Sequence, residues 1–325
     1  MGNVSRGLLI ACAVAWLSSL ATEVVAQPYP SRPIRMIVPL APGGGTDVTG
    51  RIVSQKIAEQ MGATIVVENR PGAGTIIGTE VVAKSVPDGY TLMTASPEFS
   101  INPSLQPKLP YDPLKDFVCI SQLTSGQYFL STHPSVPVKS VKDLIALARA
   151  RPERITYGSS GNGSANHLAG VLLQNMTGTK IVHVPFKGAG PSAIALMSGE
   201  IDFMFSSTTA AMGPIKSGRL RAVAVTGPKR LVLTPDIPTV SESGVPGFEV
   251  TGWYMFLAPA GTPRDIIVRL NAEVVKAVHS PTVKERFATL GTEPVSKSPE
   301  ECAEFLRAEI AKWAKVVKAS GAKAD

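Results

Sequence analysis

Residues 34–62, IRMIVPLAPGGGTDVTGRIVSQKIAEQMG, carry the reading on which the fold turns. Residues 34–40 are a short apolar run, the length of a strand covered on both faces. Ala41-Pro42-Gly43-Gly44-Gly45-Thr46-Asp47 then breaks the run with turn formers. A helical pattern follows, with Val48, Ile52, Ile57 and Met61 predicted to face inward and Gly62 to stop it. The unit is strand, glycine loop, helix. Residues 155–178 repeat it: a strand at 155–157, the loop Gly158-Ser159-Ser160-Gly161-Asn162-Gly163-Ser164, and a helix carrying Leu168, Leu172 and Met176 that closes near Gly178.

The same grammar extends in both directions. Strands are predicted at 65–67, 90–94, 181–184, 201–205 and 220–225, separated by helical or loop segments, and such alternation implies parallel βαβ units. Ser140 to Asp143 fits a capping box for a helix reaching Ala150. Residues 226–250, with Pro228, Pro235, Pro238, Gly244, Pro246 and Gly247, read as a linker. The tail reads as helical. Thr262-Pro263-Arg264-Asp265 and Ser298-Pro299-Glu300-Glu301 both place a cap before a proline at a first helical position. Leu306, Ile310, Trp313 and Val317 form an inward stripe on the last helix. The chain has 325 residues, 44% apolar and 18% charged, enough for large cores and more than one domain.

Residues 1–26 read as a secretory signal, with Arg6, the apolar run LLIACAVAWL at 8–17 and Val24-Val25-Ala26 before the cleavage point. Removing them takes one charge of each sign, Arg6 and Glu23, so the net charge of +7 belongs to the exported part. Export and the interleaving of basic with acidic residues argue against nucleic acid; solvated helix faces, or long-range attraction of an anion, account for the excess. Cys12 leaves with the signal. Cys119 and Cys302 remain and are read as two buried free thiols, although an oxidising compartment permits a disulfide.

Enzyme signatures are missing. No serine has glycine two positions before and two after it, so there is no nucleophile elbow, and neither GxxxxGK[ST] nor HExxH occurs. His133, His167, His183 and His279 lack metal-ligand spacing, and Gly43, Gly44 and Gly45 do not form the dinucleotide fingerprint. No metal or cofactor is expected. The positive signal is the pair of glycine-rich strand-to-helix junctions. Glycine admits a ligand close to the backbone, and the first turn of a helix offers unpaired N–H donors and partial positive charge to a carboxylate or phosphate. Asp47 would repel an anion in such a pocket and is read as a first-turn or capping residue.

With these features in place the chain resembles the Bug receptors, the extracytoplasmic solute-binding proteins of tripartite tricarboxylate transporters. The resemblance rests on Tyr29-Pro30-Ser31-Arg32-Pro33-Ile34-Arg35, Pro42-Gly43-Gly44-Gly45-Thr46-Asp47 and Val67-Glu68-Asn69-Arg70-Pro71-Gly72-Ala73-Gly74. It continues through Gly161-Asn162-Gly163-Ser164 with His167-Leu168-Ala169, Val184-Pro185-Phe186-Lys187-Gly188 and Asp236-Ile237-Pro238-Thr239-Val240. Gly252-Trp253-Tyr254 and Ala258-Pro259-Ala260-Gly261-Thr262-Pro263 complete it, so nearly all the mature chain is covered.

The resemblance implies an α/β, two-domain periplasmic-binding-protein-like fold of type II with the ligand cleft between domains. Residues 27–125 with 251–325 would form one domain and 126–250 the other. It implies a periplasmic monomer without catalytic activity that passes a small carboxylate to membrane permease subunits. A sensor feeding a signalling partner is the nearest rival, and a secreted α/β hydrolase the rival from another class. By position the ligand-binding candidates are Gly44, Gly45 and Thr46 on one lip and Ser159, Ser160, Gly163 and Ser164 on the other. Ser96, Phe99, Phe186, Gly188 and Trp253 are candidates for the walls.

Departures from the family pattern bear on the ligand. After Phe205 relatives often place an aspartate, where this chain has Ser206 and Ser207; Ser206 is accordingly a candidate contact that brings no countercharge. Carboxylates without an amine, dicarboxylates or aromatic acids, are therefore expected, unless Glu98, in the atypical segment Ser96-Pro97-Glu98-Phe99-Ser100, turns into the cleft. After Gly170 stands Val171 where relatives usually carry an acid. The leader reading predicts a mature protein beginning at Gln27. Intact-mass measurement of the exported protein checks it, and retention of residues 1–26 or a lipid on Cys12 would refute it.

Overall fold

The computed structural model describes residues 29–106 and 108–320; the expected leader lies outside them. The strand Ile34–Val38 (β1) is flanked by two parallel neighbours, Ile65–Asn69 (β2) and Thr91–Ala95 (β3). Ile34, Met36, Ile37 and Val38 are fully buried, as a strand covered on both faces requires. The helix Gly45–Met61 (α1) starts inside the glycine loop and stops at Gly62, which is left-handed at φ 60°. Ile52 and Ile57 face inward as expected, whereas Val48 and Met61 are only half-buried.

The remaining strands are Phe117–Thr132 (β4), Thr156–Ser159 (β5), Val182–Pro185 (β6), Phe203–Ser207 (β7), Arg221–Val225 (β8), Thr251–Pro259 (β9) and Glu293–Pro294 (β10). The helices after α1 are Ile76–Ala83 (α2), Pro97–Leu105 (α3), Val141–Ala150 (α4), Ala165–Thr177 (α5), Ala189–Met197 (α6), Thr208–Lys216 (α7), Arg264–His279 (α8), Pro281–Thr289 (α9) and Pro299–Ser320 (α10). They build one curled sheet in the order β2-β1-β3-β9-β4-β7-β5-β6, with β8 and β10 also on β4. Residues from Arg32 onward form one compact unit, so the helical tail is not a separate domain.

Strand β4 is the spine. Residues 117–127 run antiparallel to β9, and Tyr128–Thr132 turn to β7 and β8. The sheet thus has two wings, each with parallel strands at its outer edge: β2, β1 and β3 on one, β7, β5 and β6 on the other. The first wing packs Ile37, Met93, Phe99, Phe117, Trp253 and Leu306 into one cluster. The second packs Leu130, Tyr157, Leu168, Phe203, Phe205 and Phe248 into another. Fully burying side chains of this size contributes about 1.5–3 kcal/mol each.

Helix α10 lies across both clusters. Its start is a reciprocal cap: Ser298 N–H donates to Glu301 Oε2, and Glu301 N–H to Ser298 Oγ. Cys302 and Leu306 join the first cluster, while Trp313 and Val317 join the second. At the junction the buried Glu309 accepts from two indoles, Trp253 Nε1 at 2.8 Å and Trp313 Nε1 at 3.1 Å. Cys119 and Cys302 are buried free thiols in the first cluster, and the Cys302 thiol beside Cys119, reinforced by burial, pushes the Cys119 ionisation far up.

Three expectations need correction. Residues 226–250 hold no regular element beyond a bridge from Val225 to Thr239, yet they are not a loose linker: Val240, Val245, Phe248 and Val250 are buried. Met176 is 41% exposed, because Leu173 takes the inward position on α5 instead. Thr262 does not cap α8; its hydroxyl donates to the Pro259 carbonyl and Pro263 stands at the cap.

The second wing holds a stack of rings behind its glycine loop. His183 on β6 lies 4.0 Å from His167 and 4.9 Å from Tyr157, ring centre to ring centre, and its Nε2 is 2.6 Å from Ser159 Oγ. Burial, with the charge of His167 adding to it, pulls the His183 pKa down to about 3. Below pH ~6.5 the unfolded chain takes up a proton that the folded chain refuses, so this stability is complete above ~6.5 and is lost as the pH falls toward 3. Allowing for solvent screening at a half-buried ring, the slope is about 1 kcal/mol per pH unit. His183→Gln is expected to flatten the pH dependence of denaturant stability between pH 6.5 and 4; an unchanged slope would refute the assignment.

Candidate ligand-binding site

Five of the strand-to-helix junctions in the described residues meet at one polar cavity. Strand β1 leads to α1, β3 to α3, β5 to α5, β6 to α6 and β7 to α7. The cavity is lined by Gly44, Gly45 and Thr46 at the start of α1, by Ser96, Pro97 and Glu98 at the start of α3, and by Asn166 near the start of α5. Ala189 opens α6 and Ser207 caps α7, while Leu40, Tyr128, Ser160 and Tyr254 close the walls. It encloses about 30 Å³, room for roughly two or three water-sized groups. First-turn N–H groups without intrahelical partners and aligned peptide dipoles make such a place favourable to negative charge.

Asp47 is turned to another task. Its carboxylate accepts from the Gly43 N–H at 3.0 Å, from Arg51 Nε at 2.9 Å and from Asn69 Nδ2 at 3.0 Å. It fastens the glycine loop to β2 and does not line the cavity. Close approach is what Gly45 provides: a Cβ there would stand 1.9 Å from the Tyr254 hydroxyl and 2.8 Å from Ser207 Oγ. Tyr128 is held neutral as a hydroxyl, because burial first, and then Tyr254, Glu98 and Glu309, push its pKa well up. The loop after β1 lies against the start of α6, where a Cβ on Gly44 would be 3.5 Å from Ala189 Cβ.

Of the residues expected from sequence, Gly44, Gly45, Thr46, Ser96 and Ser160 line the cavity. The others stand behind it or elsewhere. Ser159 accepts from the Gly161 N–H, and Ser164 caps α5 by accepting from His167 N–H and donating to the Gly161 carbonyl, so both shape the second loop from within. A Cβ on Gly163, which has φ +75°, would meet Leu105 Cδ1 at 2.1 Å; its glycine serves loop packing against α3 and not ligand space. Gly188, at φ +123°, lets the second wing approach Ala41. Phe186 packs on the apolar cluster around Leu196 and Ile201.

Two aromatic wall candidates are core residues. Phe99 is stacked with Tyr111 at 6.1 Å and meets Phe117 edge-on at 5.0 Å. Trp253 is 1% exposed and spends its N–H on Glu309. Ser206 is fully buried beside the site with no partner for its Oγ, while its neighbour Ser207, also unpartnered, faces the cavity. Sequence reading passed over Leu40, Pro97, Tyr128, Asn166, Ala189 and Tyr254. Pro97 carried a usable signal, since a proline after Ser96 marks a helix start. Glu98, foreseen as a possible intruder, does line the cavity.

Among the described residues no three metal-ligating side chains come together, and no helix is long and apolar enough to cross a membrane. A profile described as the tripartite tricarboxylate transporter family receptor matches residues 49–322. Protein BugT of Bordetella pertussis is 38% identical over 99% of both chains. An R. palustris protein solved with adipate superposes at a TM-score of 0.88, with 35% identity over 91% of this chain and 99% of its own. MatC from Rhodopseudomonas palustris with bound malate superposes at 0.85, with 31% identity over 89% of this chain and 100% of its own. The α/β architecture is therefore that of periplasmic solute-binding proteins, and the family is one of receptors and not of enzymes. Fold, helix-start cavity and whole-length similarity agree, and the chain belongs to the tripartite tricarboxylate transporter receptor family, the Bug receptors.

Proposed function

We propose that this chain is a periplasmic, monomeric receptor that encloses a small carboxylate in the helix-start cavity and delivers it to the membrane permease subunits of a tripartite tricarboxylate transporter. The observation that carries this reading is the convergence of five helix N-termini on one polar cavity with no lysine or arginine in its lining. One such end contributes about 0.3–1 kcal/mol, or ~2 kcal/mol when partly buried. Micromolar binding requires about 8 kcal/mol, which several ends acting with the hydroxyls of Thr46, Tyr128 and Ser207 supply in gross terms. The parts that close on the ligand are residues 27–125 with 251–325 and residues 126–250, hinged where β4 passes from β9 to β7 and where the chain enters β9. The relatives solved with adipate and malate support a carboxylate as the ligand class. Adipate and malate are amine-free dicarboxylates, in line with the expected preference for amine-free acids, dicarboxylates or aromatic acids, and the Glu98 carboxylate in the lining is the feature that weighs against that preference.

A thermal-shift screen over mono-, di-, amino- and aromatic carboxylates tests the reading, since a ligand at 100 times its dissociation constant stabilises the folded state by ~2.7 kcal/mol. Gly45→Ala keeps a helix-compatible backbone but pushes into Tyr254 and Ser207, and is expected to weaken binding of the best hit at least tenfold, about 1.4 kcal/mol, with an unchanged circular dichroism spectrum. Undiminished affinity in the folded variant would move the ligand elsewhere.

A further inference from the structure

Glu98 is 7% exposed, lines the cavity, and has no lysine or arginine beside it there. An ionised carboxylate offers about four acceptor positions. Glu98 Oε2 accepts from Ser96 Oγ at 2.6 Å, a short and sound bond. Oε1 has only Ser160 Oγ, at 3.3 Å, and that hydroxyl lies closer to Asn166 Oδ1, at 3.0 Å. A hydroxyl carries one proton, so satisfying Asn166 leaves Oε1 without a donor. The Asn166 amide cannot be turned to relieve this, because the Ser160 backbone N–H donates to the same Oδ1 at 3.2 Å and fixes the oxygen on that side. Glu98 Oε1, in this wall of the cavity, is therefore left short of a donor. The start of α1, which lines the same cavity, has no side-chain cap and presents first-turn N–H donors.

We propose that Glu98 is the specificity-determining residue of the site and selects carboxylates that carry a protonated nitrogen on the adjacent carbon, that is, α-amino acids over their deaminated counterparts. The assignment rests on the carboxylate-receptor reading above. The ligand carboxylate takes the N–H donors of the α1 start, and its ammonium supplies protons to Glu98 Oε1 and neutralises its charge. About 30 Å³ brings the two groups side by side, which places them on neighbouring atoms of the ligand. A second carboxylate in the same position would face Glu98 as a like charge with no cation to separate them. The start of α3, where Glu98 is the second residue, offsets part of its charge but leaves Oε1 short of a donor.

The test is calorimetric titration of the mature protein and of Glu98→Gln at neutral pH with three matched pairs: aspartate and succinate, glutamate and glutarate, alanine and propionate. The wild type is expected to bind the amino member of the best pair at least tenfold more tightly, and the variant, folded by circular dichroism, to reduce or invert that ratio by at least tenfold. Deaminated members binding the wild type as tightly as the amino members would overturn the proposal while leaving the receptor reading intact, and this arm needs no variant. An unchanged ratio in folded Glu98→Gln would likewise overturn the role of Glu98. Absence of binding by all six compounds to the folded wild type would sink the carboxylate-receptor reading, and the proposal with it.

Discussion

A strand that runs parallel to its neighbour must hand the chain to a crossover, and most of the parallel strands in the described residues do so at one place. Strands β1, β3, β5, β6 and β7 each lead, directly or through a short loop, to a helix that starts at the cavity. The unpaired N–H groups of those first turns have to be answered by something. Water, hydroxyls and one another are the internal answers; an anion is the external one. The glycines of the first loop, the cap at Ser164, and the position of Asp47 on the far side of its loop are arrangements around this requirement.

Because the field comes from peptide dipoles and hydroxyls, the site needs no buried cation. A lysine in the cavity would impose its charge whether or not a ligand were bound, and burying it unpaired would cost stability. Helix starts are already part of the fold. The single formal charge in the lining is negative, that of Glu98, so discrimination among anions is placed opposite the groups that attract them.

Much of this was legible in the chain before any coordinates. The units at 34–62 and 155–178 were readable because a β-length apolar run, a glycine loop and a helical period succeed one another without interruption, and the lip residues Gly44, Gly45, Thr46 and Ser160 followed from them. Of strand β4 only the apolar start around Cys119 reads as a strand, because its middle, Ser121, Gln122, Thr124 and Gln127, is polar and resembles a loop; pairing with β9 makes it one strand. Tyr128 and Tyr254 could not be placed either, since they reach the cavity only through that pairing. Phe99 and Trp253 were misplaced because an aromatic near a motif looks the same in sequence whether it faces the ligand or the core. Nothing in a sequence shows that Glu309 already holds the Trp253 indole.

The shared carboxylate of Glu309 has an optical consequence. The chain contains three tryptophans, and one of them, Trp16, lies in the segment expected to be a leader. In a protein shorn of that segment, all indole emission comes from Trp253 and Trp313, which sit in different apolar clusters and donate to one acceptor where the two wings of the sheet meet. Any rearrangement that alters how the wings lean on helix α10 must pass through the surroundings of both chromophores. The molecule thus carries its own reporter at the seam, with no label to be added and no background from the outer surface.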